Sequence, residues 1–475
     1  MSRNKSESQT SERPEYHFSL PWHQIYAPSG LIYSKGVYHL FILKKSVYSS
    51  DPKLEWSHLQ SIDLLHWTNE QLIPMDPKRG EFYSGYIVID QKNSSGLGSS
   101  SKPPWIAFLN HTNTQQLFHL QYSKDGGTTW MIYGKGPVLD IKKNKCRDPY
   151  IFWHEPSGKW IMLISIAHEY KVLIYSSKNL IKWEMISDFG GHPSFNKKWS
   201  HASMIPCRSR SNPEITKWIL MIGMSEGEYS NRYFVGEFDG KSFKCDHALD
   251  AVLRLDHGKD FCAPRVCHLP GDHNNLIVGQ MSQLAYEDAL PTFGWKGMLT
   301  IPREVSIVKE ADGSYRLIQT IPKSFMALRA IMYEFQKSTA TNEVEWDLPL
   351  TAAMEFDLKI DSHKGCTIEF DFASKTKILI HWDVVHHQLS IDRTGKNLAF
   401  HPSYSSLDHA NLAISHILSI RILLDKYSME IFVDGGRVWL TSLFFSPHPL
   451  QRFRILGKLF SASGTVWSLK NVPVN

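Results

Sequence analysis

The stretch Ser61–Trp67, which reads SIDLLHW, recurs in altered form along the first half of the chain. It returns as Ser123–Trp130 (SKDGGTTW) and Ser177–Trp183 (SKNLIKW), with a weaker copy at Glu237–Phe243 (EFDGKSF). In each copy an Asp or Asn turn ends one apolar run and an aromatic residue begins the next, as in two strands joined by a tight turn. The aromatic residues that end the copies are 53 to 63 positions apart, so each repeat unit has room for several short strands.

The length of this repeat indicates the supersecondary unit that it encodes. Short apolar runs bounded by turn residues, such as Gly36–Ile42, Trp105–Leu109 and Lys159–Ile164, are typical of strands. About four such strands in about 60 residues match one blade of a β-propeller. We therefore predict an all-β chain with a five-bladed β-propeller over residues 15–322. The alternative is a set of unrelated hairpins that share only their turn chemistry.

The pattern changes after the propeller region. Three later runs alternate strictly between apolar and polar residues: Met354–Ile360, Thr367–Phe372 and Ser428–Val433. A period of two with one polar face is typical of half-buried antiparallel strands, so we predict a C-terminal β-sandwich over residues 346–475. Residues 323–345 are predicted as a partly helical linker, and the polar residues 1–14 as a disordered tail.

The composition of the 475 residues excludes several classes of function. With 42% hydrophobic and 21% charged residues the chain resembles ordinary globular proteins, and a net charge of +5 is too small to predict binding to nucleic acid or to an anionic membrane. The sequence contains no run of 18 apolar residues, so it predicts no membrane span. The polar N-terminus shows no secretory signal, so we expect a cytoplasmic protein.

The spacing of cysteine and histidine does not favour a metal centre. The six cysteines contain no C-x-x-C pair, so we predict reduced thiols rather than a zinc framework. A separate hypothesis, a metal site, would rest on His381, Asp383, His386 and His387, which the alternation of the predicted sandwich would scatter over both faces of a sheet. We predict neither a metal nor a cofactor.

Five ordered segments together point to one protein family. They are Tyr38–Phe41 (YHLF), Trp56–Trp67 (WSHLQSIDLLHW), Cys146–Pro149 (CRDP), Gly294–Glu304 (GWKGMLTIPRE) and Asp425–Val433 (DKYSMEIFV). On these motifs the chain resembles glycoside hydrolase family 32, the invertases, fructan hydrolases and sucrose-6-phosphate hydrolases. The resemblance runs from about Tyr16 to Leu469. It implies a five-bladed propeller followed by a β-sandwich, and fructose-containing sugars as ligands.

The resemblance also implies where the catalytic carboxylates would lie. Retaining glycosidases use one carboxylate as nucleophile and a second as acid/base. The segment Gln24–Leu31 (QIYAPSGL) aligns with the family's nucleophile motif, and the nucleophile position holds Ala27. The segment Trp199–Pro206 (WSHASMIP) aligns with the acid/base motif, and that position holds Ser200. Neither a methyl group nor a hydroxyl can replace a carboxyl in these roles.

A third carboxylate of the family is kept. Arg147 and Asp148 match the R-D-P motif, whose aspartate contacts sugar hydroxyls in the family. Two interpretations stay open, because an Arg-Asp pair can also fix a loop without any sugar. Other positions that the resemblance marks as retained sugar-site framework are Trp56, Ser84 and Trp295. Two further family positions have changed, to Leu43 and Cys262.

These substitutions lead to two hypotheses of different class. The first is a pseudoenzyme, a fructosidase-like scaffold without hydrolytic power that has a carbohydrate-binding, regulatory or partner role. Such a protein could hold a fructose-containing sugar weakly, form a homo-oligomer or pair with an active paralogue. The alternative is an active glycosidase with relocated catalytic groups. In that case His201, next to Ser200, would be the candidate proton donor.

Overall fold

The computed structural model describes residues 13–79, 81–112, 116–143, 146–192, 195, 197–226, 228–269, 275–338, 342–346, 350–372, 376–395, 398–446 and 448–472. The predicted tail, residues 1–14, lies outside these ranges except for its last two residues. The described chain is all-β, and its helical segments are short 3-10 turns at Pro77–Arg79, Glu155–Ser157, Ala167–Glu169, Glu287–Ala289, Lys323–Leu328 and Asp434–Gly436. No helix in the described part of the chain has the length and apolar character needed to cross a membrane.

Five antiparallel sheets follow one another along residues 23–320. The first consists of β1 (His23–Ser34), β2 (Val37–Ser46), β3 (Glu55–Ser61) and β4 (Thr68–Leu72). The second consists of β5 (Glu81–Ile89), β6 (Trp105–Thr112), β7 (Gln116–Ser123), β8 (Met131–Ile132) and β9 (Leu139–Asp140). The third consists of β10 (Cys146–His154), β11 (Lys159–Ile166), β12 (Lys171–Ser177) and β13 (Glu184–Gly190). The fourth consists of β14 (Lys198–Arg208), β15 (Thr216–Glu226), β16 (Glu228–Phe238) and β17 (Phe243–Cys245). The fifth consists of β18 (Cys262–Cys267), β19 (Asn275–Met281), β20 (Met298–Leu299), β21 (Arg303–Lys309) and β22 (Tyr315–Thr320).

The repeated sequence forms the same turn in the first four sheets, as the sequence predicts. It joins the third strand to the fourth, and its Asp or Asn side chain accepts hydrogen bonds from the backbone of the following residues. Asp63 and Asn179 each accept two, at 2.9 to 3.1 Å, and Asp239 accepts two at 2.8 Å. Asp125 accepts one at 2.9 Å. A side chain that replaces a backbone acceptor in this way stabilises a tight reversal of the chain.

The first strands of the five sheets contact one another in cyclic order. β1 contacts β5, β5 contacts β10, β10 contacts β14, β14 contacts β18, and β18 contacts β1. Each of these strands also has a break in its pairing register with the second strand. In three of them a residue other than glycine has a positive φ, namely Asp148 (+58°), His201 (+50°) and Ala263 (+47°). Such bulges re-aim side chains and concentrate at functional sites.

Two further six-stranded antiparallel sheets pack face to face and form the predicted β-sandwich. One contains, in spatial order, β23 (Arg329–Ser338), β34 (Phe460–Leu469), β25 (Met354–Ser362), β30 (Ile417–Asp425), β31 (Ser428–Val433) and β32 (Val438–Leu443). The other contains β24 (Glu343–Glu345), β33 (Leu450–Gly457), β26 (Cys366–Phe372), β27 (Thr376–Asp383), β28 (Gln388–Asp392) and β29 (Leu407–Asn411). Buried aromatic rings from both sheets meet between them, because the ring of Phe356 lies 4.6 Å from Phe453 and 5.3 Å from Phe370.

The segment predicted as a linker, residues 323–345, contributes to the sandwich. After the 3-10 turn Lys323–Leu328, β23 pairs with β34, and the short β24 pairs with β33. These strands sit at the edges of their sheets. Much of β23 is exposed, including Ile331 and Met332, so the alternation of apolar and polar residues that reveals a half-buried strand is missing.

Buried ionic groups join the sandwich to the rest of the chain. The Arg303 guanidinium, fully buried, lies 2.9 Å from Asp256 and 2.6 Å from Glu430 of β31. The His17 ring lies between Asp425 and Glu430, at 2.8 and 2.9 Å. Removing one member of such a cluster would leave an uncompensated buried charge, so these contacts fix the sandwich against the five sheets.

Candidate active-site pocket

A pocket lies where the bulged parts of the five first strands come together. Its lining residues are Tyr26, Ala27, Leu43, Tyr83, Arg147, Asp148, Ser200, His201, Ser225, Cys262, Ala263, Gln280, Leu284 and Glu287. Every one of the five sheets contributes to this lining. The positions that the sequence assigns to the lost nucleophile, the lost acid/base and the retained aspartate therefore face one cavity. Convergent polar groups in a concave site are the usual form of a small-molecule binding site.

Asp148 is held rigidly at this site. Its backbone N–H donates to Ser84 Oγ at 3.2 Å, and its Oδ2 accepts a hydrogen bond from the backbone N–H of His201 at 3.2 Å. Burial by itself would raise the pKa of Asp148, but His201, Arg147 and Arg265 outweigh this effect and lower the pKa. The residue is thus an ionised, oriented carboxylate at neutral pH, able to accept hydrogen bonds from hydroxyl groups.

Arg147 is the charged partner of Asp148. Its Nε lies 3.7 Å from Asp148 Oδ2, and its Nη1 donates to the Tyr83 hydroxyl at 2.9 Å. Burial alone would lower the pKa of Arg147, but Asp148 and Tyr83 raise it. The guanidinium therefore stays charged and presents its remaining N–H groups at the pocket wall.

His201 does not supply a positive charge at neutral pH. Its Nδ1 lies 3.7 Å from Asp148 Oδ2, but burial lowers its pKa to about 3. The ring is uncharged at pH 7, so its charge lowers the pKa of Asp148 only in acid solution. At neutral pH, His201 contributes its backbone N–H, and Arg147 and Arg265 provide the positive charge beside the Asp148 carboxylate. An uncharged imidazole is not the acid that the hypothesis of a relocated proton donor requires.

Ala27 and Ser200 occupy their positions as ordinary packing residues. Ala27, on β1, pairs with Leu43 of β2 and is buried. Ser200, on β14, is also buried, and its hydroxyl donates to the backbone oxygen of Gly223 at 3.4 Å. Neither side chain offers the pocket a group that titrates near neutral pH.

The other predicted framework residues have different places. Ser84 lies behind Asp148 and fixes its backbone. Trp56 is fully buried and donates from Nε1 to Ser29 Oγ at 2.6 Å, and Trp295 packs against Tyr427 of the sandwich. Neither tryptophan is among the residues that line the pocket. A sugar in this pocket would therefore not stack directly on either ring.

The structure adds residues that the sequence did not single out. Tyr83 holds Arg147, and Arg265 is a buried charge near Asp148. Glu287 lines the pocket from the 3-10 turn after β19, and burial, together with the charge of Asp288, raises its pKa to about 7. No periodicity or motif marks Glu287 in the sequence, because it lies in a loop between two strands. Among the described lining residues, Asp148 and Glu287 carry the carboxyl groups.

Of the four residues weighed as a metal site, His386 and Asp383 contact each other, and His381 and His387 contact other groups. His386 Nδ1 lies 2.7 Å from Asp383 within one turn, His381 is 2.9 Å from the Thr367 hydroxyl, and His387 is 3.1 Å from the backbone oxygen of Ile414. Within the described chain a different trio, Asp361, His363 and His416, brings its potential ligand atoms within 4.8 Å of one another at the surface. All six cysteines are free thiols.

Comparison with models of known protein families identifies the family of this chain. The model of the glycosyl hydrolases family 32 N-terminal domain matches residues 17–320, and that of the family 32 C-terminal domain matches residues 319–474. The chain belongs to glycosyl hydrolase family 32. The all-β architecture, with five successive sheets and a sandwich, is that family's β-propeller plus β-sandwich.

The relatives in family 32 are named as levanases, exo-inulinases, an invertase and fructofuranosidases. The chain is 29% identical to a levanase of Bacillus subtilis over 97% of its own length and 71% of the relative's. Among solved structures, a fructofuranosidase of Schwanniomyces occidentalis in complex with fructose superposes with a TM-score of 0.88, at 26% identity over 98% of this chain and 99% of that one. An exo-inulinase of Aspergillus awamori superposes with a TM-score of 0.86, at 25% identity over 97% and 99%.

Proposed function

We propose that this protein is a fructosidase-like pseudoenzyme whose pocket binds a fructose-containing sugar weakly and does not hydrolyse it by the retaining mechanism. The observation that carries the proposal is the composition of one cavity. The positions aligned with the nucleophile and the acid/base, Ala27 and Ser200, face the same pocket as the retained Asp148. The loss of both carboxylates would remove the attacking group and the proton donor together.

The retained groups support a binding role. Asp148 is ionised and oriented, and Arg147 beside it is charged, so the pocket offers both acceptors and donors to sugar hydroxyls. The related Schwanniomyces occidentalis enzyme has been solved with fructose, and a variant of it, in which alanine replaces one glutamate, with fructosylnystose. In an active relative the positions of Ala27, Leu43 and Ser200 would hold polar side chains that contact the sugar. These contacts are reduced here, so we expect weak binding.

The remaining features of the proposal concern architecture and partners. The cyclic contacts among β1, β5, β10, β14 and β18 support one propeller in which each of the five sheets is a blade. The absence of turnover would leave a regulatory role, in a homo-oligomer or beside an active paralogue. Such a partner would be recognised through surfaces that lie outside the pocket.

The alternative of an active glycosidase with relocated groups makes a different prediction from the same residues. It requires an acid near neutral pH, and Glu287 has the pKa for that task. It also requires a group that attacks the anomeric carbon or activates water, for which Asp148 is the ionised carboxylate at hand. The hydrolysis measurement below separates the two functions.

The test is incubation of the purified protein with sucrose, raffinose and a short inulin-type oligomer. Released fructose is measured beside binding by calorimetry. The proposal expects weak binding of at least one of these sugars and no fructose release above the buffer control. Steady release of fructose would establish the alternative, and the absence of binding to all three would refute the sugar-binding role.

A further inference from the structure

Glu287 brings a carboxyl group into the pocket at a position that the family resemblance does not assign to catalysis. It lies at the start of the 3-10 turn Glu287–Ala289, between β19 and β20 of the fifth sheet, and faces the same pocket as Asp148 of the third sheet. It is partly exposed rather than fully buried, so a ligand entering the pocket would reach it.

The turn that carries Glu287 is anchored from the sandwich side. The preceding residue, Tyr286, is 2% exposed, and its hydroxyl contacts the Asp260 carboxylate and accepts a hydrogen bond from Arg393 Nη2 at 3.0 Å. Arg393, itself fully buried, also pairs with Asp260. Within the turn the backbone N–H of Ala289 donates to the oxygen of Tyr286 at 3.0 Å. The sandwich thus holds the backbone of Glu287 in a fixed place at the pocket.

The charges around Glu287 leave its carboxyl poorly compensated. Asp288 follows it in the same turn, and the Lys45 ammonium group of β2 lies 3.4 Å from the Asp288 carboxylate. Burial is the larger cause and the Asp288 charge the second, and together they raise the pKa of Glu287 to about 7 in spite of Lys45. Tyr26 of β1 and Cys262 of β18 face the same carboxyl, and burial raises the pKa of both, to about 12 for Tyr26.

We propose that Glu287 is a ligand-binding residue of the pocket, whose protonated carboxyl donates a hydrogen bond to a hydroxyl of the bound fructoside opposite the acceptor Asp148. This inference rests on the proposed sugar-binding function. A neutral sugar that covers the carboxyl removes water from it, and loss of water disfavours its charged form. Binding of the sugar and uptake of a proton by Glu287 are therefore coupled.

The coupling has a definite sign. The protonated form of Glu287 predominates below about pH 7, so affinity for the sugar is highest there and falls as the pH rises through about 7. The other lining groups with displaced pKa values titrate far from this range, because the pKa of His201 is lowered to about 3 and those of Tyr26 and Cys262 are raised. Between pH 6 and pH 8.5 we expect affinity to fall about tenfold.

The experiment is isothermal titration of the full-length protein with a short inulin-type oligomer at several pH values and in buffers of different ionisation enthalpy. The buffer series gives the number of protons taken up on binding, a readout that a purely structural residue would not change. The parent is expected to take up a fraction of one proton near pH 7. Glu287→Gln keeps a donor but cannot titrate, so its affinity should not depend on pH and its proton uptake should be zero.

The matched control is Asp288→Asn, on the same turn but with a side chain 75% exposed. It should bind as tightly as the parent at a pH well below both midpoints, with its own pH midpoint moved to lower values because a neighbouring negative charge is gone. If the parent binds but Glu287→Gln shows the parent's proton uptake and pH profile, the role of Glu287 is refuted while the sugar-binding function stands. If the parent binds no sugar at any pH, the proposed function itself fails.

Discussion

The turns between the third and fourth strands and the bulges of the first strands show opposite behaviour in this molecule. In the turns of all five sheets an Asp or Asn side chain accepts hydrogen bonds from the backbone. The fifth sheet follows the other four, because Asp312, between β21 and β22, accepts a backbone hydrogen bond at 2.8 Å. The bulges keep their backbone geometry while their side chains include Ala27, Ser200 and Cys262. The turns need a specific side chain because that side chain stabilises the fold. The bulges only direct side chains into the pocket, so the identity of those side chains can change without loss of the fold.

The largest expected effect comes from the bulge side of the comparison. Asp148→Ala leaves Arg147 without its carboxylate and His201 without the acceptor of its backbone N–H. We expect the free energy of unfolding to fall by about 1–3 kcal/mol and any fructoside binding to disappear. Chemical denaturation and calorimetry measure the two effects. An unchanged or raised stability together with loss of binding would show that Asp148 serves the sugar alone.

The next prediction concerns His17, which lies outside both regions and contacts the sandwich. Its titration should make the stability of the folded protein depend on pH. Burial would lower the pKa of His17, but Asp425 and Glu430 raise it to about 9 in the folded state. The ordinary pKa of histidine is about 6.5, so the folded state binds the His17 proton more tightly than the unfolded state does. The charged ring therefore stabilises the folded protein fully below about pH 6.5, and this stabilisation is lost as the pH rises through about 9. The melting temperature should therefore fall between pH 7 and pH 9.5, and His17→Gln should reduce that fall. An identical slope in both proteins would assign it to other groups.

A smaller effect is expected on the turn side. Asn179→Ala removes the acceptor for two backbone N–H groups, at 3.0 and 3.1 Å, in the third sheet. The expected loss is about 1 kcal/mol of unfolding free energy with no change in sugar binding. Lys178→Ala, at the exposed neighbouring position, is the control and should be close to neutral. Loss of binding in Asn179→Ala would contradict the separation of turns from bulges.

The smallest expected effect is that of restoring one carboxylate. Ala27→Asp places a carboxyl at the aligned nucleophile position, but Ser200 still lacks an acidic proton and Leu43 still faces the new side chain. We expect fructose release from sucrose to remain at background in a coupled assay. Measurable rescue by this single change would show that the pocket retains a working acid, with Glu287 as the candidate.

The features that the sequence predicted are those with a local pattern. The repeated turns are visible because an Asx turn needs a specific side chain at a fixed offset from an aromatic residue. The fifth turn, at Asp312, was missed because its segment lacks the tryptophan that ends the first three copies, and the fourth copy, which ends in Phe243, was already weak. The resemblance placed Ala27, Ser200 and Asp148, and the structure brings them to one pocket. Glu287 could not be predicted, since its place depends on the distant contacts of Tyr286 with Asp260 and Arg393.

The most direct test of the account is the turnover of sucrose by the unmodified protein, measured as fructose released per protein per unit time. The Bacillus subtilis levanase, a family 32 relative, serves as the active control in the same buffer. The account predicts release indistinguishable from the buffer blank, because Ala27 and Ser200 provide neither the attacking group nor the proton donor. Steady release above the blank would contradict it, and most clearly a turnover of about 1 per second or more, within tenfold of the value of about 10 per second typical of enzymes.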